Sequence, residues 1–187
     1  MKTNNCKKVI EERKSVRAYT NKNIEMSQIL DILDSARLAP SSKNYQPWRF
    51  YILSGAEKDE VASLLLESLK QNNTENTGIA TANIIKNANK LVLVFADKET
   101  LNKKDTGMFS LMLSIGASIE NALLRATELG IGSLWMYDIC AIGEKLEQKY
   151  YSEGMLVSGL CFGEAQSSTF RAKKKDLKEI ILNTDIL

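Results

Sequence analysis

The chain has 187 residues, 44% of them hydrophobic, with 25 Lys and Arg against 23 Asp and Glu. The near balance of charge excludes a broad electrostatic footprint for nucleic acid, and the hydrophobic content is enough for a substantial core rather than a disordered chain. With no histidine, Ser-His and Cys-His nucleophile pairs and His-containing metal triads are excluded, so any chemistry must come from elsewhere.

In chain order, the opening "MKTNNCKKVIEERK" is polar and charged and has no apolar segment of the kind a secretory signal needs, so a cytoplasmic location is expected. Next comes "ERKSVRAY", with Arg13, Lys14 and Arg17 packed into five residues around Ser15 and Val16. Taken alone, such a cluster is either an anion-binding element or a solvated charge run at a helix end. Residues 24–38, "IEMSQILDILDSARL", place Met26, Ile29, Leu30, Leu33 and Ala36 at helical spacing, which predicts an amphipathic helix. Pro40 must end it, because the residue before a proline avoids α geometry.

"APSSKNYQPW", residues 39–48, holds both prolines of the chain and sets Ser41, Ser42, Asn44 and Gln46 between them. It is either an ordinary helix-to-strand connection or a stiffened loop that offers donors and acceptors in fixed directions to a flat polar ligand. Strands are predicted at 48–53, 91–96, 133–137 and 156–163 from short aromatic or β-branched runs with turn residues nearby. Residues 57–89 read as helical, with a loop at "QNNTENTG", 71–78.

Between the second and third strands lies "DTGMFSLMLSIGASIENALLRATELG", which predicts a long core helix that stops at Gly130. Its charge-free part, 106–119, is 14 residues and falls short of a membrane span. Gly116 and Ala117 leave room there for another helix or a partner subunit, or are plain core filler. Cys6, Cys140 and Cys161 are widely spaced without a CxxC pair and read as reduced thiols, the last two as small buried hydrophobes. No metal site is expected.

Read together, "ERKSVRAY" and "APSSKNYQPW" one helix later resemble the FMN-dependent nitroreductase family, which opens with R-x-S-x-R/K and continues with A-P-S-x-x-N-x-Q-P-W. "GASIENALLRATELGIGSLW" is similar to the family's central helix and following strand, and "LCFGEA" with its basic tail to its closing strand, so the likeness runs along almost the whole chain. The resemblance implies a single α+β domain over residues 1–187, with a central, mostly antiparallel sheet flanked by helices, assembled as an intertwined homodimer with FMN at the interface. It implies an oxidoreductase that passes electrons from NADH or NADPH by hydride transfer through the flavin to a small acceptor such as a nitro compound or quinone. No membrane or nucleic-acid partner is expected.

Carried over residue by residue, the resemblance places Arg13, Lys14 and Ser15 at the phosphate and ribityl end and Arg17 at the ring edge that gains negative charge on reduction. Pro40, Ser41, Ser42, Asn44 and Gln46 would complete the partner's site. Trp135, Met136 and Tyr137 would back the ring, Asn83 would be a mid-chain contact, and Arg171 and Lys173 would close on the phosphate, although the tail can also be read as a solvated basic face. Asp138 stands where many members have glycine. The alternatives from other classes are an FMN-binding carrier or sensor without turnover, and a protein that binds no flavin.

Overall fold

The computed structural model of the chain describes residues 6–72, 77–166 and 172–183. Its elements are α1 (Cys6–Glu12), α2 (Met26–Arg37), β1 (Trp48–Ser54), α3 (Gly55–Asn72), α4 (Thr77–Asn87), β2 (Lys90–Asp97), α5 (Lys98–Leu101), α6 (Met108–Glu128), β3 (Gly132–Met136), α7 (Gly143–Tyr150) and β4 (Gly154–Gly163). All three strand pairings are antiparallel, in the order β1-β2-β4-β3. The expected α+β class and all four expected strands are present.

Helices cover both faces of the sheet, and β2 shows how. Because successive strand side chains point to opposite faces, Leu91, Leu93 and Phe95 enter one core with α3, α4 and α7. Val92, Val94 and Ala96 enter a second core with α2 and α6. A strand buried on both faces needs the unbroken apolar run that "LVLVFA" supplies.

The α2 helix starts two residues later than its periodicity predicts. Glu25 and Gln28 form a reciprocal capping box that fixes the first turn. Its buried stripe is Ile29, Ile32 and Ala36; Met26 and Leu30, expected inside, are exposed. Packing on α6 turns the helix so that Leu30 and Leu33 instead line a groove of about 380 Å³ with Trp48 and Phe50 of β1.

The α6 helix buries Leu111, Ile115, Ile119, Ala122 and Ala126 along one face, and Gly130, at φ +72°, ends it as expected. The opposite face is not core: Phe109 is 88% and Leu113 75% exposed. Between α3 and α4, a Cβ on Gly78 would lie 2.3 Å from a Leu69 methyl, so glycine permits the close approach of the two helices. No helix among the described residues is long and apolar enough to cross a membrane.

One strand edge is sealed from outside the sheet. Ser15 forms a parallel bridge to Ser133 of β3, and Tyr19 an antiparallel one to Ala165. The Val16 amide donates to the Ser133 carbonyl, and that of Thr20 to Glu164, each at 2.9 Å.

Candidate active site

This edge seal carries the cation cluster. Val16 is buried with Leu134 and Met136 in the α3–α4 core. By alternation along β3, Ser133 and Trp135 face the other way, towards α6, and Ser15, bridged to Ser133, lies beside them; Arg17 is exposed on the same segment. Two contacts fix that side: Arg13 pairs with Glu120 of α6 at 3.6 Å, and the Trp135 ring tip lies 3.9 Å from where a Gly116 Cβ would stand. The structure therefore gathers Arg13, Ser15, Ser133 and Trp135 beside α6, with Arg17 exposed on the same segment. Ser133 Oγ is buried there and has no hydrogen-bond partner among the described residues, although a buried hydroxyl ordinarily has one. Next to it a cavity of about 360 Å³ opens between Lys14, Thr127, Gly130 and Gly132.

Tyr19 holds the segment's curvature. Its hydroxyl donates to the Val16 carbonyl at 2.8 Å, and burial raises its pKa far above that of a free phenol, so it stays a donor. The ring lies so close to β4 that a Cβ on Gly163 would sit 2.6 Å from it. Tyr19→Phe keeps the ring and loses the bond. It should destabilise the fold by about 1 kcal/mol, read as a lower urea midpoint at unchanged slope. An unchanged midpoint would mean that the bond does not hold the segment.

Beyond β3 the picture is mixed. Met136 is core, so its side chain cannot back a ring on the α6 side, and only its backbone is available. Tyr137 is exposed. Asp138 accepts from the Thr81 hydroxyl at 2.7 Å and so ties the turn to α4. Asn83 is exposed on α4, two residues and about 200° round the helix from Thr81, and is not brought to the β3 end.

The proline-bracketed loop is held elsewhere. Pro40 is exposed and Pro47 buried. The Ser42 amide donates to Ser114 Oγ at 3.0 Å, Ser42 Oγ and Thr106 Oγ1 lie 3.1 Å apart, and the Gln46 amide donates to Ser41 Oγ at 3.0 Å. Asn44 and Gln46 are exposed, with Gln46 Nε2 donating to the Asn44 carbonyl at 3.3 Å. Lys43, Asn44 and Gln46 all have positive φ. Ser114, which anchors this loop, and Glu120, which anchors Arg13, are six residues apart on α6. That places them roughly 9 Å apart along the axis and about 120° apart around it. Within one chain, the loop and Arg13 are thus held on different faces of α6.

Lys173 is exposed in the stretch before a 3-10 turn at Leu177–Glu179, where Leu177, Ile180 and Leu182 are also exposed; Arg171 lies outside the described residues. Burial pushes the Cys140 thiol up to about 11 and raises that of Cys161 further, so neither is a thiolate at neutral pH. Sequence reasoning missed Ser133, Glu120 and Asp105, whose importance comes from cross-chain placement. Only Ser133, inside "GIGSLW", carried a local signal.

The model of the Nitroreductase family matches residues 10–148, well over half the chain. A protein of Archaeoglobus fulgidus provisionally named NADH dehydrogenase/NAD(P)H nitroreductase is 34% identical over 70% of the chain. The chain spans no more than 66% of the length of that and similar curated relatives. Among solved structures, a provisionally named nitroreductase of Desulfovibrio desulfuricans in complex with FMN shares the fold, with TM-score 0.80 at 21% identity over 96% of both chains. A BluB-like flavoprotein of Clostridium difficile is 25% identical with TM-score 0.75, over 94% of this chain and 96% of that one. With two cores around one antiparallel sheet, a cation segment laid along its β3 edge, and a family match across both, the chain belongs to the Nitroreductase family.

Proposed function

We propose that the chain, as one domain over residues 1–187, is an FMN-dependent oxidoreductase that takes electrons from NADH or NADPH and passes them to a small acceptor such as a nitro compound or quinone. The observation that carries this reading is the convergence of Arg13, Ser15 and the Ser133 hydroxyl, unpartnered among the described residues, beside α6, with the exposed Arg17 on the same segment. That donor set suits a group with a phosphate at one end and a polar ring edge at the other. Arg13 and Ser15, with Lys14, would hold the phosphate, Ser133 would donate to the polar chain beside it, and Arg17 would face the ring. Lys173 and Arg171 remain candidates from the tail. When bound, the flavin supplies the hydride chemistry, and the protein needs no acid or base of its own. The names of the relatives and the FMN complex of a neighbour support the same cofactor and donor.

The site is shared between two copies in this reading. Asn44 and Gln46 are exposed, on a loop held at a different face of α6 from Arg13, and the α6 face with Phe109, Leu113, Gly116 and Ala117 offers the apolar, small-residue surface that a second subunit would cover. The exposed Leu177, Ile180 and Leu182 fit an arm laid on that partner.

The absorbance spectrum of the purified protein with added FMN or riboflavin tests this. FMN should bind about tenfold tighter or more, since even one charge-assisted bond to phosphate contributes about 1.5–3 kcal/mol. Anaerobic addition of NADH or NADPH should bleach the bound flavin. Equal affinity for the two flavins removes the phosphate assignment, and a bound flavin that neither nicotinamide bleaches makes the protein a carrier rather than an enzyme.

A further inference from the structure

We propose that Asp105 is a positioning residue that latches the loop of residues 41–46 in the shape it presents to the partner's cofactor, a role that rests on the shared-site reading above. The loop has an unusual backbone. Lys43, Asn44 and Gln46 have φ of 50°, 57° and 48°, a region that Asn tolerates but Lys and Gln seldom enter. Three such residues within four positions persist only where the surroundings over-determine them.

Hydrogen bonds to neighbouring side chains hold the two ends, at the Ser42 amide and the Gln46 amide. The middle has a different anchor. One carboxylate oxygen of Asp105, which lies outside the loop, accepts from Lys43 Nζ at 2.9 Å and from the Tyr45 hydroxyl at 2.6 Å. These two side chains flank Asn44, so the clamp fixes the peptide units that aim Asn44 and Gln46 outward.

The charges agree with this arrangement. The bond from Tyr45, then that from Lys43, holds the Asp105 carboxyl below its ordinary range, and the same bond raises the Tyr45 phenol. At neutral pH the acceptor is therefore ionised and the donor protonated. Lys103 adds its ammonium 5.4 Å from the Tyr45 ring centre. The cluster stands outside both cores: Asp105 and Lys43 are exposed, and the half-buried Tyr45 packs in neither. Its effect is to fix one loop conformation.

Hydrogen exchange of the flavin-free protein, together with FMN titration, tests the latch in Asp105→Ala, in Asp105→Glu, and in Tyr45→Phe as a milder variant. In Asp105→Ala the amides of residues 44–46 should exchange faster while those of β2 and β4 do not. If the latched shape is then populated about a tenth of the time, the apparent Kd for FMN rises about tenfold. Asp105→Glu, which keeps the carboxylate, should recover part of both effects, and Tyr45→Phe should show a smaller version of each. Unchanged exchange at 44–46 in both Asp105→Ala and Tyr45→Phe overturns the latch. Faster exchange with an unchanged Kd overturns the positioning role and leaves Asp105 a loop anchor only. If the unaltered protein takes up no FMN, the reading of the function falls while the exchange result still decides whether Asp105 holds the loop.

Discussion

Replacing Arg17 with Gln should lower the two-electron midpoint potential of the bound flavin by on the order of 30–65 mV while weakening FMN binding only modestly. Arg17 is exposed, and among the described residues its guanidinium makes one long hydrogen bond, to the Ser15 carbonyl at 3.4 Å, so it is available to a ligand. A cation fixed at the ring edge that gains charge on reduction stabilises the reduced form more than the oxidised one. Losing a charge-assisted hydrogen bond of about 1.5–3 kcal/mol corresponds to that shift, at roughly 30 mV per 1.4 kcal/mol for two electrons. Arg13 differs. It is already paired with Glu120, so Arg13→Ala would remove a phosphate partner and leave a carboxylate facing the phosphate, costing affinity with little change in potential. Titration against reference dyes decides the matter: an unaltered potential in Arg17→Gln makes Arg17 a surface cation.

A hybrid dimer carrying Arg13→Ala in one subunit and Gln46→Ala in the other should keep one FMN site of native affinity. If the loop of each chain completes the site of its partner, both lesions fall in the same site and the other is intact. If each loop served its own chain, both sites would be damaged. The geometry on α6, where Ser114 and Glu120 send the loop and Arg13 to different faces, favours the first outcome. Purification through two different tags, followed by FMN titration, reads the number of tight sites per dimer. Finding none refutes the shared site, and a flavin-loaded single subunit in sedimentation does so independently.

How far the sequence could be read follows from the range of each signal. Strand β2 and the stop of α6 at Gly130 were legible because short-range apolar runs and glycine geometry set them. The face that α2 buries was not: its periodicity admitted Met26 and Leu30, and packing against α6 chose Ile32 instead. The same limit applies to the site. Arg13, Ser15 and Arg17 form a local motif, legible in one short window, and the structure ties its segment to α6 at Arg13 and to β3 at Ser15. Met136 looked equivalent to Trp135, but adjacent residues of a strand face opposite sides, and Met136 falls in the core. Glu120 and Asp105 act on residues 107 and 60 or more positions away respectively, beyond any pattern that a local window contains.

The segment from Ser15 to Tyr19 has a second duty besides presenting cations, because it bridges the edge of β3 at Ser133 and the chain just past β4 at Ala165. An uncovered edge strand invites pairing with another chain. Anyone re-engineering this protein for a different cofactor would therefore be editing its solubility as well. A substitution that loosens residues 15–20 to reshape the pocket also uncovers the carbonyls of Ser133 and Glu164, so recognition and resistance to aggregation cannot be tuned separately at this edge.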